Sequence, residues 1–323
     1  MPSEHIQLDD NLVLRAATPD DAEKVVELNR LVHGNPEKNE PENYVAEWTK
    51  DLFAGATRAI KPADFTVVED TSTGEIVSSI CLMSQTWNIG GIDVPMGMPE
   101  IVGTHPDYRR RGLVRKQFDL MHEWSQERGH LFNTIMGIGN YYRQFEYEYA
   151  IDAWGGSGGA ISTLESVSDT RKPPAKFTAR DAEPKDTGFI ADTSKTARER
   201  VYVTVTKNAQ LFEDELFGRS ENSAVSYHAR ILELDGKPAA YYLFQPETEN
   251  SKIRIDALEI TSESNWFDAT TSMAIDLQEI AKTFHPEGKE RCEKLDFHLA
   301  TNTRYTTFWI NHWVRNGPHT PGT

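Results

Sequence analysis

The chain has 323 residues, which is enough for two domains of about 150 residues each. It is 38% hydrophobic and 26% charged, a composition typical of a folded protein and not of a disordered one. Fifty acidic against 34 basic residues give a formal charge of −16. That balance argues against a nucleic-acid partner and favours cationic molecules, although an acidic surface also serves solubility alone.

The sequence gives no indication of a membrane-spanning segment, an export signal or a metal-binding motif. No apolar run approaches the roughly 20 residues that span a bilayer, and residues 1–11 lack the apolar stretch of an export signal. Cys81 and Cys292 are too few for a disulfide framework, and the ten scattered histidines form no metal motif. We therefore predict a cytoplasmic protein with reduced thiols, no metal and no membrane partner.

In the first half, hydrophobic periodicity and turn residues alternate in a mixed order. The predicted elements, in chain order, are a strand at 12–17, a helix starting at Thr18-Pro19, a helix at 41–53, hairpin strands at 65–69 and 76–86, a strand at 100–104, a helix at 112–128, a strand at 131–136, a short helix at 140–145 and a strand at 147–154. This order predicts an α/β (α+β) sandwich, because a doubly wound nucleotide fold would alternate strands and helices strictly.

The second half faintly repeats the first. The segment RAATPDD at 15–21 reappears as RDAEPKD at 180–186, and the turn at Gly74 has a counterpart at Gly236. A strand at 253–260, a helix at 268–284 and a strand at 294–301 follow, but no loop rich in Arg and Gly comes after Ile260. We predict a first domain at 1–154, a linker at 155–175 and a second domain at 176–323.

The strongest chemical signal is residues 102–115, VGTHPDYRRRGLVR. The segment passes from a strand through a loop to the start of a helix, where free N–H groups and the positive end of the helix dipole favour anions. A glycine lets a pyrophosphate approach the backbone, and arginines add charge-assisted hydrogen bonds. An isolated run of arginines would more simply be a solvated helix start, but here the strand, proline and glycine all stand where an anion site needs them.

This segment resembles the coenzyme A loop of the GNAT N-acetyltransferase superfamily, Arg/Gln-x-x-Gly-x-Gly/Ala, with Arg109, Gly112 and Val114 at the defining positions. Val114 departs from the usual small residue. The variant RRGLVR is similar to acetyltransferases related to the mycobacterial enhanced-intracellular-survival protein, which carry two tandem GNAT-like domains with mixed, mostly antiparallel sheets, the second without the cofactor loop. By position, the resemblance implies that acetyl-CoA is held by Val102, Thr104, Arg109, Arg110, Gly112, Val114 and Arg115.

The same resemblance carries two expectations about the whole protein. Larger relatives end in a sterol-carrier-like domain, and because this chain ends at Thr323 we expect it to lack one. Such relatives often form rings, which makes a homo-oligomer an expectation here too.

The second chemical signal is NYYRQFEY at 140–147, which is similar to the family segment Tyr-x-x-x-Gly-Phe/Tyr. In that family the tyrosine faces the cofactor sulfur, so Tyr142 is the predicted general acid; a phenol with a pKa near 10 is protonated at neutral pH. Glu146 replaces the expected glycine. The competing interpretation is an aromatic core cluster with ordinary hydroxyl partners.

The base that receives the amine proton stays open. Glu100, two residues before Val102, could act directly or through water, and a structural role is at least as good an interpretation. In the larger relatives the C-terminal carboxylate contributes instead.

The sequence thus predicts an acetyl-CoA-dependent N-acetyltransferase that acts on a primary amine, either a cationic small molecule or a lysine, by direct attack on the thioester. Three alternatives remain. The chain could be a non-catalytic acyl-CoA sensor, or an interaction protein with a merely solvated arginine cluster. It could also be a serine hydrolase using Ser157 of GGSGG at 155–159, although the order of elements does not supply the strand–turn–helix elbow that such a serine needs.

Overall fold

A computed structural model describes residues 5–35, 38, 40–151, 157–161, 175–247, 251–261, 264–284 and 292–298. Contacts divide the chain into two compact units. The first comprises Met1–Ile151 with Val205–Ser226, and the second comprises Asp152–Thr204 with Tyr227–Thr323. The segment 205–226 groups with the first unit, whereas the predicted second domain at 176–323 includes it.

From residue 12 to residue 133 the elements follow the predicted order, after one short strand that the sequence did not predict. They are β1 (Ile6–Gln7), β2 (Leu12–Ala16), α1 (Ala22–Val32), α2 (Asn43–Phe53), β3 (Phe65–Asp70), β4 (Glu75–Ile89), β5 (Ile92–Thr104), α3 (Leu113–Glu127) and β6 (Phe132–Asn133). The rest of the described chain contains β7 (Ser157–Ala160), β8 (Thr178–Asp181), α4 (Thr187–Ser194), β9 (Val203–Val205), α5 (Ala209–Phe217), β10 (His228–Leu234), β11 (Lys237–Glu247), β12 (Lys252–Ile260), α6 (Trp266–Thr283) and β13 (Lys294–Phe297).

Each unit is built on a mixed sheet. The first has the order β1-β2-β3-β4-β5-β6, with β9 also pairing with β4, and the second has the order β7-β13-β12-β11-β10-β8. Neighbours along the main run of each sheet are antiparallel, whereas β5–β6 and β12–β13 are parallel. This arrangement confirms the predicted mixed, mostly antiparallel α/β fold.

The sheet of the first unit lies between two apolar layers because its strands alternate their side chains between opposite faces. Leu113, Phe118 and Met121 of α3 pack on one face, and α1 and α2 cover the other with residues such as Val25 and Leu52. The end of β5 and the start of α3 therefore meet at one end of the sheet.

An ion-pair motif recurs in the two units. In the first, Arg15 donates to both oxygens of Asp21 at 2.7 and 2.8 Å and to Glu69 at 2.8 Å. In the second, Arg180 donates to both oxygens of Asp186 at 2.7 and 2.8 Å and to Glu233 at 2.7 Å. The local repeat seen in the sequence thus encodes the same junction between a strand and the helix that follows it.

Several predicted elements differ from the observed ones. The strand predicted at 131–136 is reduced to β6, and residues 147–151 of the strand predicted at 147–154 have no regular structure, while 152–154 lie outside the described residues. The short helix predicted at 140–145 is a 3-10 turn over Tyr142–Phe145. These segments are apolar and aromatic, but strands need hydrogen-bonding partners that a local pattern does not reveal.

Segment 205–226 joins the first unit through specific polar contacts. The Thr206 N–H donates to the Thr86 carbonyl at 2.8 Å. Asp214 is 2% exposed, and its carboxylate accepts from the backbone N–H of Arg58 at 2.9 Å and pairs with the Arg58 guanidinium at 2.9 Å. Within the described part of the chain, no helix has the length and apolar character required to cross a bilayer.

Candidate active site

The edge of β5 loses its neighbour halfway along the strand. Within the described residues, β5 pairs with β6 at Met96 and Gly97, yet β5 continues to Thr104. On its other edge the pairing with β4 extends to Thr104. Backbone groups of residues 98–104 on the β6 side are therefore left without a strand partner, and such an edge can hydrogen-bond an extended ligand.

A β-bulge interrupts β5 along this free stretch. Ser79 pairs with Gly103 and Cys81 with Glu100, so two residues, Ile101 and Val102, oppose one residue of β4. Ile101 has a positive φ of 54°. A bulge re-aims the neighbouring side chains and sharpens the twist, and bulges recur beside active sites. The sequence contained no local signal for it.

The loop after β5 has a backbone suited to anion binding. Arg110 and Gly112 both have left-handed conformations, with φ of 63° and 76°. Gly112 immediately precedes α3, and no side chain caps this helix. The first intrahelical backbone bond runs from the Lys116 N–H to the Gly112 carbonyl, so the N–H groups of the first turn remain open to a ligand. A Cβ built on Gly112 would meet no atom within 4 Å, so the space above it is open.

The arginines of the loop have different roles. Arg110 has no hydrogen-bond or ion-pair partner among the described residues and is exposed, whereas the Arg109 Nε donates to the Thr104 carbonyl at 3.3 Å. Arg111, which the resemblance does not include, pairs with Asp9 and lies over the Tyr108 ring at 5.4 Å. Arg110 is therefore the cation freest to meet an anion at the start of α3.

Arg115 contacts the tyrosine turn. Its guanidinium donates to the Gln144 backbone carbonyl at 3.1 Å and to the Gln144 side-chain oxygen at 3.0 Å, and it lies 5.1 Å from the centre of the Phe145 ring. This side chain links the first turn of α3 to the 3-10 turn that carries Tyr142.

Tyr142 belongs to the aromatic cluster and also has a free hydroxyl. Its ring is half-buried, 6.0 Å from Phe118, and packs on the same core cluster as Val102 and Val114. Its hydroxyl has no hydrogen-bond partner among the described residues. Gly137 makes room for this ring, because a Cβ there would lie 2.2 Å from a Tyr142 ring carbon. The aromatic packing that the competing interpretation predicts is present, and the role of Tyr142 as a general acid stays a prediction.

The 3-10 turn at Tyr142–Phe145 forms although Glu146 stands where the family segment has glycine. Glu146 follows the 3-10 turn with a left-handed φ of 70°, the conformation for which glycine is favoured. A non-glycine residue in this region costs on the order of 1 kcal/mol, which the packing of Phe145 in the core offsets.

Glu100 and Tyr142 are electrostatically coupled. Burial raises the pKa of Glu100 to about 7, and the side chain has no ion-pair partner among the described residues. Burial, followed by the nearby Tyr141 and Glu100, raises the pKa of Tyr142 to about 12. A carboxylate that titrates near neutral pH beside a protonated phenol is a combination suited to general base and hydrogen-bond donor.

Sequence reasoning missed the buried polar link beneath this site. The Ser78 hydroxyl donates to Gln117 Oε1 at 2.6 Å, and Gln117 Nε2 donates to the Thr66 carbonyl at 3.1 Å. Gln117 lies within an apolar helical face, where a single glutamine carries no pattern that distinguishes it from a surface residue.

The arrangement fits a long anionic cofactor. An uncapped helix start with a free arginine would take the phosphates, and the unpaired edge of β5 would take an extended amide-bearing arm. The predicted residues Val102, Thr104, Arg109, Arg110, Gly112, Val114 and Arg115 all lie on or beside these two features.

The competing motifs do not assemble a site. Ser157 is the first residue of β7, paired with Phe297 of β13, and does not lie between the end of a strand and a helix; residues 155 and 156 lie outside the described chain. Among the described residues, no group of three or more histidine, cysteine or acidic side chains could hold a metal ion.

Known proteins share the fold at low sequence identity. No curated protein matches this chain in sequence. A probable N-acyltransferase from Enterococcus faecalis is 13% identical over 88% of this chain, with a TM-score of 0.61, and this chain spans 65% of its length. A GCN5-related N-acetyltransferase from Anabaena variabilis is 12% identical over 96% of this chain and 69% of its own, with a TM-score of 0.59.

The N-myristoyltransferase of Saccharomyces cerevisiae, determined with bound myristoyl-CoA, is also similar. It is 13% identical over 98% of this chain and 82% of its own, with a TM-score of 0.62. At such identities these likenesses establish a shared fold. In sequence, residues 13–150 match the family model described as an acetyltransferase (GNAT) domain. The match lies within the first unit and covers less than half of the 323 residues.

Proposed function

We propose that this chain is an acetyl-CoA-dependent N-acetyltransferase that transfers an acetyl group to a primary amine by direct attack on the thioester. The observation that carries the proposal is the uncapped start of α3, with left-handed Arg110 and Gly112, beside the unpaired edge of β5. A helix start with open N–H groups and a free guanidinium is a ready-made phosphate site.

Acetyl-CoA supplies the activated acetyl group, and the chain supplies binding, polarisation and proton handling. Backbone N–H groups of β5 around the bulge would donate to the thioester carbonyl as negative charge develops on its oxygen. Glu100, with a pKa of about 7, would accept the amine proton directly or through water.

Tyr142 would stabilise the leaving sulfur mainly by hydrogen bonding. Its pKa of about 12 keeps the hydroxyl protonated at neutral pH. A thiol ordinarily has a pKa near 8.5, so complete proton transfer from this phenol to the thiolate is unfavourable by about 3 to 4 pKa units. A hydrogen bond to the developing thiolate avoids that cost and still lowers the barrier.

We assign residues 1–154 to the catalytic domain and residues 176–323 to a second, degenerate GNAT-like domain, with segment 205–226 contributed to the first unit. The shared strand order and the shared Arg15 and Arg180 ion pairs support this assignment. In the second unit the Asn265 side chain caps the start of α6. A helix start already capped in this way is a poor phosphate site.

The acceptor we propose is cationic, a polyamine-like or aminoglycoside-like compound or a lysine side chain. The excess of 50 acidic over 34 basic residues supports it, since a negative field raises the local concentration of cations. Turnover of such amines is expected to fall with added salt and to exceed that of neutral amines. Insensitivity to both would contradict this part of the proposal.

Calorimetric titration of acetyl-CoA tests the central claim. The wild-type protein is expected to bind with micromolar affinity, and the double variant Arg109→Ala/Arg110→Ala to lose about 100-fold, since each charge-assisted bond contributes about 1.5–3 kcal/mol. Lys185→Ala, at an exposed cation of the second unit, is the matched control and is expected to bind like the wild type. No binding by the wild type at millimolar cofactor would refute the proposal.

A non-catalytic sensor would bind the cofactor equally well, so a second variant separates it from an enzyme. With an amine substrate, Tyr142→Phe is expected to lower kcat about 10- to 100-fold and to leave the cofactor dissociation constant unchanged. Normal binding without turnover of any amine by the wild type would favour the sensor.

A further inference from the structure

A continuous chain of buried hydrogen bonds links the end of β5 to α3. The hydroxyls of Thr104 and Ser78 are 2.8 Å apart, and the Ser78 hydroxyl donates to Gln117 Oε1 at 2.6 Å. Gln117 Nε2 then donates to the carbonyl and the hydroxyl of Thr66, both at 3.1 Å. Thr66, Ser78 and Gln117 are fully buried.

The position of Gln117 is unusual for a polar side chain. It lies on the inner face of α3 beside Leu113, Phe118 and Met121, which form an apolar core cluster. A buried amide is costly unless its donor and acceptor groups are satisfied, and here each has a partner. Apolar residues would hold the helix by contact alone, whereas directed hydrogen bonds specify its position along the sheet.

The two ends of this chain of bonds belong to the two halves of the proposed cofactor site. Thr104 is the last residue of β5, and its carbonyl accepts from Arg109 at the start of the loop. Gln117 belongs to the second turn of α3, immediately behind the uncapped first turn. The network therefore spans from the unpaired strand edge to the helix start.

We propose that Gln117 is a positioning residue that sets the spacing between the phosphate-binding start of α3 and the free edge of β5, so that acetyl-CoA engages both at once. The inference rests on the proposed function. Two binding elements reinforce each other only when the distance between them matches the length of the ligand. A shift of α3 would therefore remove the contribution of the pantetheine arm to the affinity for acetyl-CoA and leave the phosphate contacts intact.

Two probes distinguish the halves of the site. ADP carries a 5′-diphosphate without the pantetheine arm, whereas acetyl-CoA carries both. In Gln117→Met, we expect the dissociation constant of acetyl-CoA to rise about 10-fold and that of ADP to stay within about 2-fold of the wild type. We also expect kcat at saturating acetyl-CoA to fall about 10- to 100-fold, because a displacement near 1 Å misaligns the reacting groups.

Met121→Ala is the matched control, since Met121 is fully buried on the same helix and makes no part of the network. It is expected to lower the melting temperature at least as much as Gln117→Met while leaving both dissociation constants unchanged. If it reproduces the selective loss of acetyl-CoA, general loosening of α3 is the cause and the proposal is wrong.

Gln117→Glu serves if the methionine variant does not fold. It keeps the length of the side chain and the acceptor for Ser78 but removes the donor to Thr66, and the same selective loss of acetyl-CoA is expected. Equal weakening of both probes, or of neither, overturns the role of Gln117. Failure of the wild type to bind either probe refutes the proposed function itself, so the two failures are distinguishable.

Discussion

The starts of α3 and α6 occupy corresponding positions in the two units, because each follows the first strand of a parallel pair, β5 in the pair β5–β6 and β12 in the pair β12–β13. Before α3, Gly112 has a left-handed conformation and offers no side chain to the helix. Before α6, the Asn265 side chain accepts from the N–H groups of Phe267 at 2.8 Å and Asp268 at 3.3 Å. One helix start is closed by its own sequence, and the other is left open.

The strands that lead into these helices differ in a related way. Each of these two strands contains a β-bulge next to a carboxylate. Glu100 lies beside the bulge of β5, and Asp256 lies in the bulge of β12. Asp256 accepts from the Arg254 guanidinium at 2.9 Å, whereas Glu100 has no cationic partner among the described residues. The two units thus share an architecture, and under the proposed function a few side chains at one end of the sheet account for the difference between them.

The largest expected effect concerns these two carboxylates. If Glu100 is the general base, Glu100→Gln lowers kcat/KM about 1000-fold, within the range for loss of such a group. Asp256→Asn, the matched change in the second unit, should alter kcat/KM by no more than about 3-fold. Steady-state kinetics with varied acetyl-CoA at a saturating amine concentration measure kcat/KM in both variants. Equal losses in the two variants would refute the functional asymmetry between the two units.

The pH dependence of the same residue follows from its pKa of about 7. The base acts when ionised, so log kcat/KM should rise with unit slope up to about pH 7 and then level off, and Glu100→Gln should abolish that limb. The free energy of unfolding should respond with the opposite sign. Because the folded pKa lies above the ordinary value of 4.5, Glu100 binds more protons in the folded state, and stability declines between about pH 4.5 and 7.

Closing the open helix start should weaken cofactor binding strongly. Gly112→Asp places a carboxylate where the phosphates are expected, and we expect the dissociation constant of acetyl-CoA to rise about 100-fold. Gly112→Ala imposes the same left-handed strain without the charge and should cost about 10-fold at most. Isothermal titration calorimetry checks both; similar losses would point to backbone strain as the cause.

The repeated ion pairs should differ in strength because their burial differs. The side chain of Arg15 is 12% exposed and that of Arg180 is 30% exposed. We expect Arg15→Met to lower the free energy of unfolding by about 2 kcal/mol and Arg180→Met by about 1 kcal/mol or less, since exposure to solvent weakens an ion pair. Urea denaturation at pH 7 measures the two values, and a larger loss at Arg180 would contradict the burial argument.

The smallest expected effect is at the closed helix start. Asn265→Ala removes the cap of α6 and should lower the free energy of unfolding by about 1 kcal/mol, while Asn265→Asp keeps the cap and should be nearly neutral. Neither change should affect acetyl-CoA binding. A calorimetric response to Asn265→Ala would mean that the second unit takes part in holding the cofactor.

Local sequence patterns accounted for the features that depend on neighbours along the chain. The helices α1, α2 and α3, the hairpin at Gly74 and the strand–loop–helix segment at 102–115 follow from periodicity, turn residues and proline placement. The repeat of RAATPDD in the second half likewise predicted a second unit, because an arginine six residues before an aspartate can close the same ion pair in both.

Features that depend on partners distant in the chain could not be predicted from the sequence. The strand predicted at 131–136 shrinks to β6, which exposes the edge of β5, and its extent depends on pairing and not on residue preference. Segment 205–226 lies with the first unit because Asp214 pairs with Arg58, 156 residues earlier.

The sequence by itself determined where the proposed cofactor loop lies and why it could bind an anion, since glycine, arginine and the helix start are neighbours in the chain. The tertiary structure alone decided that this loop opens beside a free strand edge, that Arg115 contacts the tyrosine turn, and that Gln117 is tied to Thr66 and Ser78. The physical reason is that hydrogen bonds between distant strands and helices depend on the packing of the whole sheet, which no local pattern encodes.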